Sequence, residues 1–236
     1  MSHLLRFVYA ICLCFFLCCI SIPLKQVGKL KLSQIGLGTW AWGNRFLWNY
    51  SKDQDDELAK AYQYSVKKGI NWFDTADSYG TGSLEGQSEK LLGQFREQLP
   101  KSSKSPYICT KLAPYPWRIG PESMKKAANE SIQRLNQPKI IDILQLHWPP
   151  SLQWQEQSYL KAFSELVDND QATQIGVSNY GPIGIRRVQD ILKQYGQQVY
   201  SNQVSITTYT HTSYYLPNSY LSSHTLTRIY RYNFLS

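Results

Sequence analysis

The sequence predicts an α/β fold of parallel strands and, within that class, a barrel of the TIM (β/α)8 type. Short apolar segments alternate with amphipathic helical segments along the 236 residues, which favours a parallel sheet with helical crossovers. The polar residues lie at the ends of the apolar segments, where a barrel has its C-terminal rim. The length is close to the ~250 residues typical of such a barrel. A doubly wound sheet is the alternative, but residues 36–41 have two large side chains where a G-x-G-x-x-G fingerprint opens its helix.

About six βα units follow one another from residue 30 onward. Each strand is predicted from a short apolar run that ends at polar or turn residues, and each helix from apolar positions at helical spacing. Pro121 occupies the first turn of the third helix, where proline is favourable. The predicted strands are residues 33–39, 70–74, 106–111, 140–147, 174–178 and 201–206. The predicted helices are residues 53–68, 88–98, 121–135, 157–168 and 183–195.

Composition narrows the classes of function. The net charge of +8 comes without a dense run of Lys or Arg, so a nucleic-acid partner is not expected. The basic excess suits an anionic cofactor. Four of the five cysteines lie within residues 12–19 and only Cys109 lies in the body, which is typical of an intracellular fold rather than of a disulfide framework. The body has a single histidine, so a metal-dependent hydrolase is not expected either.

The two ends of the chain differ from its body, residues 25–206. Residues 1–24 place Arg6 before an apolar run from residue 7 to residue 20, which is the pattern of a signal peptide or an anchor; a plastid-type leader and a misassigned start codon are the alternatives. Residues 207–236 contain eleven Ser or Thr and six Tyr, but no Gly, Ala, Val, Asp, Glu or Lys. We expect this tail to lie outside the fold, as sequence that follows a change of reading frame or splicing. An unusual but genuine tail is the alternative.

Four polar residues lie at or just after three successive strand ends: Asp74, Tyr79, Lys111 and His147. Each type has an ordinary structural role when it occurs alone. Carboxylates cap helices, tyrosines pack with a solvated hydroxyl, lysines lie at the surface, and a histidine at a buried strand end can be structural. Because the ends of parallel strands converge at one rim, four such residues in this order indicate a site for chemistry.

The segments around these residues resemble the active-site signature of the aldo-keto reductases, which are nicotinamide-dependent carbonyl reductases built on a TIM barrel. The matching motifs are DTADSYG at residues 74–80, TK at 110–111 and QLHW at 145–148. The similarity covers residues 30–206, and residues 117–120 and 146–149 look most like the plant and cyanobacterial branch. The resemblance implies a plastid or cytoplasmic protein, whereas a genuine N-terminal segment would imply secretion or a membrane anchor.

In this family the four residues form a catalytic tetrad, and the resemblance implies their roles in the reduction of an aldehyde or ketone by NADPH. Tyr79 would be the general acid, and Lys111 would lower its pKa from the ordinary value of about 10. Asp74 would hold Lys111 charged and oriented. His147 would hydrogen-bond the carbonyl oxygen of the substrate.

The resemblance also assigns cofactor and substrate positions. Four residues correspond to positions near or on the nicotinamide: Thr39, Ser178, Asn179 and Gln203. Three tryptophans are expected to wall an apolar substrate pocket, with core or rim packing as the alternative: Trp40, Trp42 and Trp148. The expected partner is a small-molecule carbonyl substrate, and no metal is expected.

The predicted barrel is incomplete, because an aldo-keto reductase has eight strands and six are predicted here. The phosphate-binding motifs that the family carries on its last two strands do not follow residue 206. We therefore expect a C-terminally truncated domain that binds NADP weakly and is marginally stable. A second hypothesis is a non-catalytic protein similar to the potassium-channel β subunits, which have the same barrel. The physiological carbonyl, NADPH against NADH and the oligomeric state are left open.

Overall fold

A computed structural model describes residues 22–100, 103–136, 140–206 and 229–234. The strands are β1 (Leu24–Val27), β2 (Leu30–Ser33), β3 (Leu37–Gly38), β4 (Trp72–Asp74), β5 (Tyr107–Leu112), β6 (Ile141–Leu146), β7 (Ala172–Ser178), β8 (Val199–Ile206) and β9 (Ile229–Phe234). Strands β3 to β8 lie side by side in chain order, and each pairs in parallel with the next. These six strands form a curled half-barrel, which confirms the α/β fold and the incomplete TIM-type barrel.

The helices lie between the strands in the order that the sequence predicts. They are α1 (Arg45–Trp48), α2 (Asp55–Lys67), α3 (Gln87–Glu97), α4 (Gly120–Arg134), α5 (Gln153–Asp168) and α6 (Pro182–Lys193). Proline occupies the first turn of both α4 and α6, where its missing N–H costs no hydrogen bond. Helix α5 begins four residues earlier than predicted. The short α1 and the 3-10 turns Lys52–Gln54 and Gly82–Leu84 are absent from the prediction.

An antiparallel hairpin of β1 and β2 precedes the barrel strands and is also absent from the prediction. The Lys29 amide donates to Gln174 Oε1 at 2.5 Å, and the Trp72 indole donates to the Ser33 carbonyl at 2.8 Å. The apolar residues of the hairpin pack against the beginnings of the strands: Val27, Leu30 and Leu32 with Trp72, Cys109 and Ile143. The hairpin therefore covers the end of the sheet that lies opposite the predicted rim. The predicted strand 33–39 is corrected, because Ser33 ends β2 and only Leu37–Gly38 joins the sheet.

The structure differs from the expectation that the whole tail lies outside the fold. Ile229–Phe234 pairs with β8 in antiparallel register, from Ile206 opposite Ile229 to Ser201 opposite Phe234. The segment IYRYNF is rich in β-branched and aromatic residues, and the free edge of β8 offers unpaired backbone groups. Residues 207–228 and 235–236 lie outside the described residues, as do residues 1–21 of the N-terminal segment.

The apolar core lies between the sheet and its helices. One part joins α2 and α3 to the first strands and includes the fully buried side chains Tyr62, Phe73 and Leu92. The other joins α4, α5 and α6 to β6 and β7 and includes Leu144, Tyr159, Phe163 and Val188. Each fully buried Leu or Phe contributes about 1.5–3 kcal/mol, so this packing holds the strand ends in place. No helix in the described part of the chain has the length and apolarity that crossing a bilayer requires.

Candidate active site

Lys111 is the centre of the candidate site, and its side chain is 1% exposed. Its ammonium lies 2.9 Å from Asp74 Oδ2, 3.0 Å from the Tyr79 hydroxyl and 2.8 Å from the Thr75 carbonyl. Three acceptors thus face its three N–H groups. Burial alone would lower the pKa of Lys111, but the charges and hydrogen bonds of Asp74 and Tyr79 outweigh it and raise that pKa. Lys111 is therefore held as a buried cation.

Strand pairing explains why these groups meet. Asp74 is the last residue of β4 and lies opposite Cys109 of β5, two residues before Lys111. The chain continues along β5 after β4 has ended, because the amides of Thr75 and Asp77 donate to the carbonyls of Cys109 and Lys111. This extended pairing delivers the loop that carries Tyr79, whose side chain is buried, to the side of Lys111.

His147 follows the end of β6 and completes the group of four. Its amide donates to the Leu112 carbonyl at 3.0 Å, and its ring meets the Tyr79 ring edge to face with centroids 5.7 Å apart. Burial, with a further contribution from the charge of Lys111, lowers the pKa of His147 from 6.5 to about 2. The imidazole is therefore neutral at physiological pH, and its Nδ1 lies 3.2 Å from Ser78 Oγ.

Ser178, Asn179 and Gln203 lie beside the four residues: Ser178 ends β7, Asn179 follows it, and Gln203 lies opposite Ser178 within β8. Gln203 Nε2 donates to Asp74 Oδ2 at 2.9 Å, and the Ser178 hydroxyl donates to the Gln203 carbonyl at 3.0 Å. Asn179 adopts a left-handed backbone with φ of 63° and donates from Nδ2 to the His147 carbonyl. Gln203 Oε1 is buried and has no hydrogen-bond partner among the described residues. A buried acceptor of this kind normally has a hydrogen-bond donor, and an amide N–H of a ligand would supply one.

Thr39 lies behind Asp74 rather than beside these three residues. Its fully buried hydroxyl donates to the Asp74 carbonyl at 2.9 Å and lies 2.6 Å from Ser88 Oγ, at the start of α3. Ser88 in turn lies 3.0 Å from Thr75 Oγ1. We call Thr39, Thr75 and Ser88 the hydroxyl cluster. In the structure the Thr39 hydroxyl joins β3, β4 and α3, and its expected place near the nicotinamide stays a prediction.

The three tryptophans differ in burial and in the rings that they contact. Trp148 is half-buried and contacts the His147 ring with centroids 4.7 Å apart. Trp40 is also half-buried and packs edge to face on Trp48. Trp42 is 5% exposed and packs in the core against Phe95. The Trp42 ring thus belongs to the core cluster that includes Tyr62 of α2 and Phe95 of α3, and its expected pocket role stays a prediction.

An ion pair between Asp77 and Arg118 supports the Tyr79 loop and is absent from the prediction. Asp77 accepts hydrogen bonds from Arg118 Nη1 at 2.5 Å and from the Ala113 amide at 3.2 Å. Arg118 Nη1 also donates to the Ala113 carbonyl at 2.7 Å. Burial raises the pKa of Asp77 to about 6, although Arg118 opposes the shift. Residues 41 positions apart make this contact, and a single sequence carries no signal of such pairing.

The rim beyond His147 is aromatic. Tyr115 stacks on Trp117 with ring centroids 4.5 Å apart and meets Trp148 edge to face at 6.2 Å. The guanidinium of Arg118 lies over the Tyr115 ring, 5.0 Å from its centroid. In the described ranges, no group of three or more His, Cys, Asp or Glu side chains could hold a metal ion. The site thus combines a buried cation, a phenol, a neutral imidazole and an aromatic rim.

Comparisons with known proteins identify the family of the chain. The profile of the Aldo/keto reductase family matches residues 34–216. The chain is 40% identical over 184 residues to the chloroplastic pyridoxal reductase of Arabidopsis thaliana, a match that covers 76% of this chain and 50% of that protein. It is 27% identical over 182 residues to a putative voltage-gated potassium channel subunit beta of Schizosaccharomyces pombe, covering 74% of this chain and 50% of that protein.

A solved structure shares the fold. The aldo-keto reductase of Klebsiella pneumoniae in complex with NADPH superposes with a TM-score of 0.61 at 23% identity, covering 78% of this chain and 58% of that one. The chain spans about half the length of the curated relatives that it matches. With a family profile over most of its length and a half-barrel that gathers the residues of the signature, the chain belongs to the aldo/keto reductase family.

Proposed function

We propose that this site reduces an aldehyde or ketone to an alcohol with NADPH, and that Tyr79 is the general acid. One observation carries the proposal: the buried Lys111 ammonium hydrogen-bonds both Asp74 and the Tyr79 hydroxyl. A phenol is a poor acid near neutral pH, and an adjacent cation favours its ionised form. The ion pair with Asp74 keeps that cation in place.

The described residues divide the work as follows. The cofactor supplies a hydride when it is bound. The neutral His147, whose ring contacts the Tyr79 ring, donates an N–H to the substrate carbonyl oxygen. This hydrogen bond orients the carbonyl oxygen toward Tyr79. As negative charge develops on that oxygen, the Tyr79 hydroxyl gives up its proton, and the Lys111 ammonium stabilises the phenolate that remains. Asp74 anchors Lys111 through their contact of 2.9 Å.

The nicotinamide end of the cofactor fits the group formed by the end of β7 and the facing Gln203 of β8. Gln203 Oε1 is an orphaned acceptor for a carboxamide N–H, and its Nε2 is fixed by Asp74. Ser178 and Asn179, at the end of β7, offer further polar groups. The choice of NADPH over NADH is part of the proposal, and it is supported by the solved aldo-keto reductases of Klebsiella pneumoniae in complex with NADP or NADPH.

The aromatic rim supports a substrate with a flat, largely apolar ring. Trp148 contacts His147 and meets Tyr115 edge to face, and Trp117 stacks on Tyr115 and extends the surface outward. The Arabidopsis relative is named a pyridoxal reductase, and pyridoxal is an aldehyde on a flat aromatic ring that also carries polar groups. Pyridoxal is therefore the first substrate to test. The second candidate function, a binding role like that suggested by the name of the yeast relative, rests on the 27% identity to that protein.

The test is protein-dependent oxidation of NADPH by the full chain, with pyridoxal and with a simple aromatic aldehyde. Tyr79→Phe removes only the hydroxyl and should lower kcat by about 10²–10⁴-fold, the range for loss of a general acid. Tyr62→Phe is the matched control, because Tyr62 is a fully buried tyrosine whose hydroxyl has no partner among the described residues. Equal rates in Tyr79→Phe and the unaltered chain would refute the assignment. Saturable NADPH binding without turnover of any aldehyde would favour the binding role.

A further inference from the structure

Ser78, the residue directly before Tyr79, makes one contact that the proposed mechanism does not yet use. Its hydroxyl oxygen lies 3.2 Å from Nδ1 of His147, in a partly buried position. The described residues offer this hydroxyl no other hydrogen-bond partner. Nε2, the other ring nitrogen of His147, has no hydrogen bond to any residue that the structure describes, and so it is available to a ligand. The two ring nitrogens thus face different partners.

A neutral imidazole has one N–H, so its two nitrogens cannot both be donors. His147 is neutral because burial and Lys111 disfavour its charged form. If Nδ1 carried the proton, it would donate to Ser78, and Nε2 would present a lone pair. A lone pair repels a substrate carbonyl oxygen, which is itself only an acceptor. If Ser78 donates to Nδ1 instead, the proton lies on Nε2, where the substrate oxygen can accept it.

We propose that Ser78 is a positioning residue: its hydroxyl donates to His147 Nδ1 and holds the imidazole in the Nε2–H tautomer. The choice of this tautomer rests on the proposed function, because the 3.2 Å contact suits either direction of the hydrogen bond; the NMR test below reads the tautomer without any turnover. Ser78 and Tyr79 are neighbours in one loop that the Asp77–Arg118 pair fastens to the end of β5. The same loop therefore places the phenol and sets the proton on the imidazole that faces it.

The direct test is the nitrogen NMR spectrum of the His147 ring in the full chain labelled with ¹⁵N. His147 is the only histidine between residues 4 and 210, and His147→Gln identifies its signals by their loss. At neutral pH we expect Nδ1 to resonate as an unprotonated nitrogen and Nε2 as a protonated one. Ser78→Ala should bring the two shifts toward each other, since one neutral hydrogen bond biases an equilibrium roughly 2- to 10-fold. Ser78→Thr, which keeps the hydroxyl, should restore the separation.

Ser83→Ala is the matched control, because Ser83 is an exposed serine of the same connection and has no described hydrogen bond. It should leave the His147 shifts unchanged. A protonated Nδ1 in the unaltered chain, or identical His147 shifts in Ser78→Ala and the unaltered chain, would overturn the proposal. In the activity assay, Ser78→Ala should lower kcat by a factor no larger than the roughly 2- to 10-fold change in the tautomer equilibrium, and Ser78→Thr should recover most of it. If the chain turns over no aldehyde, the NMR experiment still reports which ring nitrogen of His147 carries the proton. Failure of the reductase assignment and failure of this inference are therefore distinguishable.

Discussion

Replacing Asp77 by Asn should change how the stability of the fold depends on pH. Asp77 is 4% exposed, and burial raises its pKa from 3.8 to about 6 even though Arg118 lies beside it and opposes the shift. The charge of Glu89 adds to the increase. Asn has nearly the same shape as a protonated Asp but does not titrate, so the substitution removes the proton equilibrium and little else at low pH.

The sign follows from which state holds the proton. Between pH 3.8 and about 6, the unfolded chain has released the Asp77 proton while the folded chain retains it. The free energy of unfolding therefore falls as the pH rises through this range, and it levels off above the pKa of the folded state. Moving the pKa from 3.8 to about 6 corresponds to roughly 3 kcal/mol.

His147 titrates in the same range with the opposite sign. Its pKa falls from 6.5 to about 2 on folding, so its contribution to stability is present above the unfolded value and is lost as the pH falls. The unaltered chain alone therefore cannot isolate Asp77. The informative quantity is the difference between the unfolding free energies of Asp77→Asn and the unaltered chain.

Urea unfolding followed by tryptophan fluorescence measures that difference from about pH 4 to about pH 7. Relative to the unaltered chain, the free energy of unfolding of Asp77→Asn should increase by about 3 kcal/mol across this range. Asp142→Asn is the matched control. Burial also raises the pKa of Asp142 to about 6, but that carboxylate bonds the Ile108 amide near the beginnings of β5 and β6. Asp142→Asn should show its own pH-dependent difference in unfolding free energy from the unaltered chain. The difference due to Asp77→Asn should persist when both residues are replaced. Parallel curves for Asp77→Asn and the unaltered chain would refute the reasoning.

Two further substitutions test the packing around the site. Arg134→Met leaves the fully buried Glu89 without the guanidinium that lies 2.7 Å away, and thermal or urea unfolding should show a loss of about 3–5 kcal/mol; a loss below about 1 kcal/mol would mean that the pair behaves as a surface contact. Gly176→Ala places a Cβ 2.3 Å from Ser201 Oγ inside the barrel and should cost about 1–3 kcal/mol. Gly181→Ala, with open space around the new methyl group, should cost under about 0.5 kcal/mol, and equal losses at the two glycines would contradict the crowding argument.

The sequence carries most of the fold because buried parallel strands are apolar runs that end at polar residues. That rule places β4 to β8 within a few residues, and the convergence of strand ends explains why Asp74 and Lys111 meet. The β1–β2 hairpin is not predicted by this rule, because each of its strands has only four residues. Its apolar residues are buried by contacts with Trp72 and Ile143, which are distant in sequence.

Side-chain direction is what a single sequence conveys least. Trp40 and Trp42 are two residues apart in one loop, yet only Trp42 enters the core. Thr39 precedes them and turns behind Asp74 to meet Ser88, which is 49 residues away. Contacts of this kind depend on the relative placement of a strand and a helix. Motif spacing identifies which residues approach the site, but not which face of the backbone each one occupies.

The hydroxyl cluster of Thr39, Thr75 and Ser88 also has a consequence for folding accuracy. A shift of α3 by one residue would turn Ser88 by about 100° and leave buried hydroxyls without partners. Each such orphan costs about 1–3 kcal/mol, a large share of the roughly 5–15 kcal/mol that stabilises a typical domain. Apolar side chains of similar size would tolerate several neighbouring alignments with little penalty. The cluster therefore destabilises packings in which α3 is shifted relative to the sheet. Such a shift would also move Asp74, whose carboxylate holds Lys111.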